Sequence, residues 1–90
     1  MQLNEVLTSY SAWDRPWEFP TYIQEHLDLS STDKDKFSNI WEAAADATHW
    51  QSSDIVLGCK NVQSSLRDLF PYLNEEAIGS IVRAASYQWR

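Results

Sequence analysis

Residues 30–50 of this 90-residue chain read SSTDKDKFSNIWEAAADATHW and have its strongest helical periodicity. Serine and threonine side chains at the start can cap a helix, and two aspartates follow in the first turn, where the helix dipole favours negative charge. The apolar stripe that comes next has helical spacing and consists of Phe37, Ile40, Trp41, Ala44 and Thr48. The pattern predicts a helix that begins after Ser30 and extends to about Trp50.

A long helix is predicted after this one, beyond a cap at Asp54. Its apolar residues follow in steps of four and three along one seam: Ile55, Cys59, Val62, Leu66, Leu69 and Leu73. The seam predicts one helix from Asp54 to Phe70. A shorter helix stays open, because Gly58 costs about 1 kcal/mol relative to alanine in a helix interior and the serines at 64 and 65 could cap a separate helix.

The last helix is expected to begin after Asn74, which can act as its N-cap, with two glutamates in the first turn. Its apolar face comprises Ile78, Ile81, Val82, Ala85 and Trp89. The long seam of the preceding helix can pack internally or across a dimer, and of the two we favour a monomer.

Before residue 30 the helices are predicted to be short. The apolar residues with helical spacing are Leu3, Val6, Leu7 and Tyr10 in the first helix and Phe19, Tyr22, Ile23 and Leu27 in the second. Asn4 is available to cap the first helix. Pro16 and Pro20 disfavour helix for the residues before them, so residues 13–19 are predicted to form an irregular or single-turn connection. Pro20 suits the first position of the second helix, which is expected to end near Leu29.

These elements predict an all-α fold. No segment alternates apolar and polar residues as a half-buried strand would, and the chain contains no Asn-Gly or Asp-Gly hairpin turn. We expect one small domain over residues 1–90, with four or five helices. Because the loops are short, the helices should form a bundle or an irregular orthogonal array.

The charge balance restricts the possible partners. The chain has 13 acidic and 7 basic residues and a formal net charge of −6. We expect no nucleic-acid partner, because phosphate contacts require clustered lysine and arginine. A single cysteine, a start without signal-peptide character and the lack of any apolar run of about 18 residues predict a cytoplasmic protein with no membrane partner.

Catalytic and metal sites have little support in the residue pattern. Asp46 and His49 lie one helical turn apart, with Glu42 a turn earlier, but metal sites of helical bundles need such a pair twice. A solvated polar face is the expected role of these residues. Cys59 lies on the apolar seam, which predicts an inert, buried thiol. We therefore expect no enzyme activity, no metal and no cofactor.

The excess negative charge is confined to one part of the sequence. Residues 1–56 hold ten acidic and three basic side chains, a net charge of −7, whereas residues 57–90 hold three acidic and four basic ones, a net charge of +1. Four of the five tryptophans also belong to the first part. Carboxylates steer a basic partner and aromatic side chains anchor it, so this distribution predicts a protein-binding surface.

The predicted partner-binding residues combine two tryptophans of the broken connection with acidic residues of the first three helices. They are Trp13, Asp14, Trp17, Glu25, Asp28, Asp33, Asp35, Glu42 and Asp46. We expect both tryptophans to be exposed, because a segment interrupted by prolines is too irregular to bury both of them. The carboxylates would then steer a basic protein towards these aromatic anchors.

The sequence resembles the small acidic immunity proteins that bacteria pair with polymorphic toxins, including those of contact-dependent growth inhibition systems. The resemblance covers size, acidity, cysteine usage and aromatic content, with Tyr10 close to Trp13-Asp14 and with Leu57-Gly58-Cys59 in mid-chain. It implies a stoichiometric inhibitor that covers the basic active cleft, or a nearby surface, of a nuclease-type toxin.

Two alternatives remain open. One is an acidic helical adaptor or regulatory subunit whose partner is not a toxin. The other is a small metal-dependent enzyme that uses Asp46 and His49.

Overall fold

A computed structural model describes residues 3–27, 29–46, 50 and 54–87 of the chain, and these residues include five α-helices and a 3₁₀ helix. The helices are α1 (Leu3–Ser9), the 3₁₀ helix (Pro16–Glu18), α2 (Phe19–Gln24), α3 (Ser31–Ala44), α4 (Ile55–Leu69) and α5 (Glu75–Tyr87). No strand occurs in these ranges. The all-α prediction with four or five helices is therefore confirmed, while the single domain over residues 1–90 stays a prediction.

Helix α5 lies at the centre, packed against α1, α3 and α4. It takes this position because much of its surface is apolar or small, so that neighbouring helices approach it closely. Its buried residues are Ala77, Ile78, Ile81, Val82, Ala84, Ala85 and Ser86. The predicted face of this helix is confirmed for four residues, and Trp89 lies outside the described residues.

The largest fully buried side chains come from every α-helix and form one hydrophobic core. They are Val6, Leu7, Phe19, Ile23, Phe37, Ile40, Val62, Leu66, Ile78 and Ile81. The stripes predicted for the first and third helices thus face this core, with Trp41 half-buried at its edge. Thr48 and the side chain of Ile55 lie outside the described residues.

Helix α3 ends earlier than predicted. Ser30 caps its start by accepting a hydrogen bond from the Asp33 amide, as expected, but the helix stops at Ala44 rather than near Trp50. The indole N–H of the buried Trp50 donates to the carbonyl of Ala44 at 3.0 Å. A side chain therefore satisfies one of the last carbonyls that a longer helix would have used.

Helix α2 is also shorter than predicted, and Leu27 is 97% exposed instead of packed. After Gln24 the backbone hydrogen bonds span three residues instead of the four of an α-helix. The His26 amide donates to the Ile23 carbonyl and the Leu29 amide to the His26 carbonyl, both at 3.3 Å. This turn directs Leu29 into the core in place of Leu27.

Helix α4 is continuous through Gly58, so the longer of the two predicted helices is correct. Asp54 caps it by accepting hydrogen bonds from the amides of Val56 and Leu57. The seam prediction is wrong for Leu69, which is 62% exposed, because the chain leaves the helix there and Phe70 packs against the core instead.

Asn4 lies within α1 and joins it to the loop between α4 and α5, which differs from the predicted capping role. Its side-chain amide donates to the Tyr72 carbonyl at 2.9 Å, and its Oδ1 accepts from the Asn74 amide at 3.1 Å. Asn74 in turn caps α5, as predicted, by accepting from the Ala77 amide at 2.8 Å. Two asparagines thus fix the start of the central helix.

Asn4→Ala is expected to lower the free energy of unfolding by about 1–2 kcal/mol, because two hydrogen bonds between distant parts of the chain are lost. Urea denaturation measures the change. Asn39→Ala, on the exposed side of α3, is the control and should have a smaller effect. Equal losses in the two variants would contradict the role given to Asn4.

An ion pair joins the end of α4 to the start of α5. The Arg67 guanidinium donates from Nε to Glu75 Oε1 at 2.9 Å and from Nη2 to Oε2 at 2.7 Å. The hydrogen bonds and the charge of Arg67 lower the pKa of the Glu75 carboxyl below its ordinary value of 4.5. A carboxyl whose pKa is lowered by folding stabilises the folded state at pH values above its ordinary pKa. This stabilisation is lost as the pH falls through the lowered pKa.

Glu75→Gln is therefore expected to reduce the melting temperature at pH 7 and to have a diminishing effect as the pH falls below about 4.5. Thermal denaturation of both proteins between pH 2 and pH 7 checks this. Glu76→Gln removes the neighbouring exposed carboxylate and should change the pH dependence less. A destabilisation by Glu75→Gln that is constant over the whole pH range would contradict the assignment.

Candidate protein-binding surface

The connection between α1 and α2 is held in place by Tyr10. The phenol hydroxyl donates to the Arg15 carbonyl, and the ring meets the Trp13 ring edge-on at 5.0 Å. Pro16 is buried and begins the 3₁₀ helix, as the predicted single-turn connection requires. Burial raises the pKa of the Tyr10 hydroxyl, which keeps it protonated as a hydrogen-bond donor. A segment interrupted by two prolines is thereby given a defined shape.

Trp13 is half-buried and packs against the core, so the expectation that it is exposed is wrong. Its ring stacks on Phe19 at 5.7 Å. The guanidinium of Arg83, from α5, lies 4.4 Å from the centre of the indole ring. Trp13 is therefore covered by a residue 70 positions away in the chain, which no local pattern indicates.

Trp17 is 56% exposed, as predicted. It lies in the 3₁₀ helix, and its ring centre is 5.8 Å from that of Tyr87, which is itself 42% exposed. Exposed aromatic side chains that contact each other offer a large apolar area with few rotatable bonds, which is typical of the centre of a protein interface.

A groove of about 480 Å³ opens beside Trp17, and we call it the Trp17 groove. Its lining residues are Tyr10, Ala12, Trp17, Glu18, Thr21, Tyr22 and Glu25. A smaller hollow of about 170 Å³ is lined by Trp13, Pro16, Arg83 and Tyr87. It adjoins the Trp17 groove because the Tyr87 ring contacts the Trp17 ring. The 3₁₀ helix and α2 thus present aromatic and acidic side chains together.

One wall of the Trp17 groove is fixed by Tyr22. Its ring lies 5.1 Å from that of Tyr10 and 5.6 Å from that of His26. Its hydroxyl shares a hydrogen bond of 2.8 Å with the Ser9 hydroxyl. Because Tyr22 is held by two ring contacts and a hydrogen bond, it forms a preformed wall, which reduces the entropy cost of binding.

The rim of the groove is acidic. Asp14 and Glu18 flank the Arg15 guanidinium, with Nε to carboxylate distances of 3.8 and 3.6 Å. These pairs are exposed, so they contribute little to stability and leave the carboxylates accessible. Glu25 is a third exposed carboxylate, at the end of α2. Three carboxylates and one guanidinium give this region a net negative charge.

The predicted acidic residues of α3 lie apart from the groove, on another helix. Asp35 and Glu42 are exposed and, at 100° per residue, occupy the side of α3 opposite the buried residues; Asp46 is exposed just after the helix. Asp33 is half-buried and lies 4.0 Å from the Lys36 ammonium.

The groove therefore brings together two of the predicted binding residues, Trp17 and Glu25, with Asp14 near its rim. Asp28 lies outside the described residues. Sequence reasoning did not assign Glu18 and Tyr22 to the surface, although with Glu25 they follow spacings of four and three residues along one helical face. The apolar pair Phe19 and Ile23 in the same stretch dominates its periodicity, so the pattern indicates the buried face of α2 and not the exposed one.

The metal-site alternative rests on a residue outside the described residues, His49. Over the described ranges, no group of three or more His, Cys, Asp or Glu side chains is placed to hold a metal ion. Cys59 is a free thiol, half-buried against the core. Among the same residues, none of the helices has the length and apolar character needed to cross a membrane.

Comparisons of this chain with protein-family models, with curated proteins and with solved structures found no match.

Proposed function

We propose that this chain is a non-catalytic immunity protein, which neutralises a basic, nuclease-type toxin by binding it through an acidic surface that contains aromatic residues. The observation that carries the proposal is the Trp17 groove, in which an exposed tryptophan lies next to carboxylates on a shaped surface. The confinement of the negative charge to residues 1–56 supports it independently.

Trp17 is the proposed anchor of the interface. A tryptophan that is more than half exposed has an energetic cost in water, which is removed when a partner covers the ring. Tyr22 and Tyr87 extend the apolar area on either side of it. Anchors of this kind provide most of the binding energy of an interface, while the acidic rim provides register and selects a basic partner.

The outer face of α3 has a different role in this proposal. Asp35 and Glu42 face solvent, so their attraction for a basic protein acts over distance before contact forms. They raise the rate of association, whereas the groove residues determine how long the complex lasts.

Deletion of the gene from its native bacterium tests the function. In mixed culture with its parent, the deletion strain is expected to be outcompeted, and expression of this chain is expected to restore its growth. Parental mutants that no longer inhibit the deletion strain identify the toxin. Equal growth of the deletion strain and its parent in contact would contradict the proposal and favour an adaptor with a non-toxin partner.

Reversal of two charges on α3 is expected to slow association with the toxin. Asp35→Lys combined with Glu42→Lys should lower the association rate roughly tenfold at low salt, and the difference should largely vanish near 1 M salt, where screening is nearly complete. Stopped-flow fluorescence measures the rate.

Asp68→Lys combined with Glu76→Lys makes the same change of charge on exposed residues of the nearly neutral C-terminal part, and is the matched control. Asp33 is a poorer position for this test, because it is half-buried beside Lys36. If both double variants slowed association equally, net charge rather than the α3 face would be responsible, and steering by this face would be refuted.

A further inference from the structure

We propose that the Trp17 groove receives an arginine side chain of the bound protein, with its guanidinium stacked on the Trp17 ring and paired with the Glu25 carboxylate. This inference rests on the proposed function for the identity of the bound protein, but the chemistry of the site is tested without the toxin. The groove has the size of a small-ligand site, about 480 Å³, which suits one long side chain and the backbone next to it.

The ring faces in the groove favour a flat cation. Trp17 is 56% exposed, and Tyr22 also lines the groove. Guanidinium is planar and weakly hydrated, so it stacks on aromatic rings with less loss of hydration than an ammonium group. An apolar side chain would use the rings but would leave the adjacent carboxylates desolvated and unpaired.

The charges favour a cation at Glu25. Glu18 is 3.6 Å from the Arg15 guanidinium and is thus already partly neutralised. Glu25 is exposed, lines the groove and has no ion pair among the described residues. Its carboxylate is the acceptor that an incoming guanidinium would complement.

The same recognition already occurs within the chain. The Arg83 guanidinium covers the Trp13 ring at 4.4 Å in the adjoining hollow. Trp13 thereby has a cationic partner, whereas no cation lies over the Trp17 ring among the residues that the structure describes. The two tryptophans lie four residues apart: one is covered by an internal arginine, and the other is exposed in a groove that Glu25 also lines.

Titration of ¹⁵N-labelled protein with blocked single amino acids tests the site. N-acetylarginine methylamide is expected to shift the indole N–H signal of Trp17 and to half-saturate at a concentration about 2–5 times lower than N-acetyllysine methylamide. Trp17→Ala should abolish the shifts of the remaining groove residues. Glu25→Gln should raise the half-saturating concentration about 2–5 times.

Two exposed residues outside the groove lining supply matched controls. Glu76→Gln removes an exposed carboxylate from α5, and Leu27→Ala removes the most exposed large apolar side chain among the described residues. Both should leave the titration unchanged. Equal affinity for the two probes, or equal effects of Glu25→Gln and Glu76→Gln, would overturn the arginine site. Since no toxin is used, this outcome is distinct from failure of the immunity function in mixed culture.

Discussion

Phe19→Ala is expected to lower the free energy of unfolding by about 3–5 kcal/mol, the largest loss of any single substitution considered for this chain. The ring is fully buried. Its centre lies within 6.0 Å of four other aromatic rings, those of Tyr10, Trp13, Phe37 and Trp41. Removal of the ring leaves a cavity between α2, α3 and the connection that carries Trp17. Urea denaturation followed by circular dichroism measures the loss.

Phe19→Leu, which retains most of the apolar volume, should cost clearly less. Trp17→Ala, which truncates the exposed ring only two residues earlier, should change the free energy of unfolding by less than about 1 kcal/mol. If Phe19→Ala destabilised the protein no more than Trp17→Ala, the aromatic cluster would not be the support of this part of the fold.

Trp17→Ala is expected to weaken binding to the proposed toxin partner at least about tenfold and up to about a hundredfold, with the fold preserved. The physical reason is the loss of an exposed ring that lines the groove, together with its contact to Tyr87. Isothermal titration calorimetry with the toxin identified through mixed culture measures the affinity, and circular dichroism verifies the helical content.

Leu27→Ala is the matched control, because Leu27 is more exposed than Trp17 and lies outside the groove lining. Its effect on affinity should be within about twofold. A small effect of Leu27→Ala would show that exposure alone does not make an apolar side chain an anchor. A weaker effect from Trp17→Ala than from Leu27→Ala would remove the groove from the interface.

Much of the fold follows from local features of the sequence. The caps at Ser30, Asp54 and Asn74 each act within three residues, and all three hydrogen bonds occur as their residue types predict. The periodic stripes of α1, α3 and α5 likewise identify buried faces, because helical geometry alone determines which residues share a side. The continuity of α4 through Gly58 follows from the same periodicity.

The helix ends depend on distant contacts and were predicted less well. The end of α3 is coupled to the Trp50 indole, which donates to the Ala44 carbonyl, although the predicted stripe continues to Thr48. Leu27 and Leu69 continue their stripes in sequence but fall beyond the last core-facing turn. A residue's spacing indicates its direction on an ideal helix and gives no information on where the helix stops.

The two tryptophans of the connection illustrate the same limit at the candidate site. Trp13 and Trp17 have similar local sequence, with acidic neighbours and a nearby proline. Contacts with Phe19 and with Arg83 of α5 half-bury Trp13, whereas Trp17 lies beside Tyr87 of α5 and stays exposed. The acidic part of the chain was predictable from composition, whereas the groove required the packing of α5.

The most direct test of the proposed binding surface is mixed culture of the deletion strain, complemented with variants, against its parent. Trp17→Ala combined with Glu25→Gln removes the anchor and the carboxylate of the Trp17 groove, while Leu27→Ala combined with Glu76→Gln makes equivalent changes elsewhere. The proposal predicts that the first variant fails to protect and the second protects fully. Full protection by both variants would contradict it.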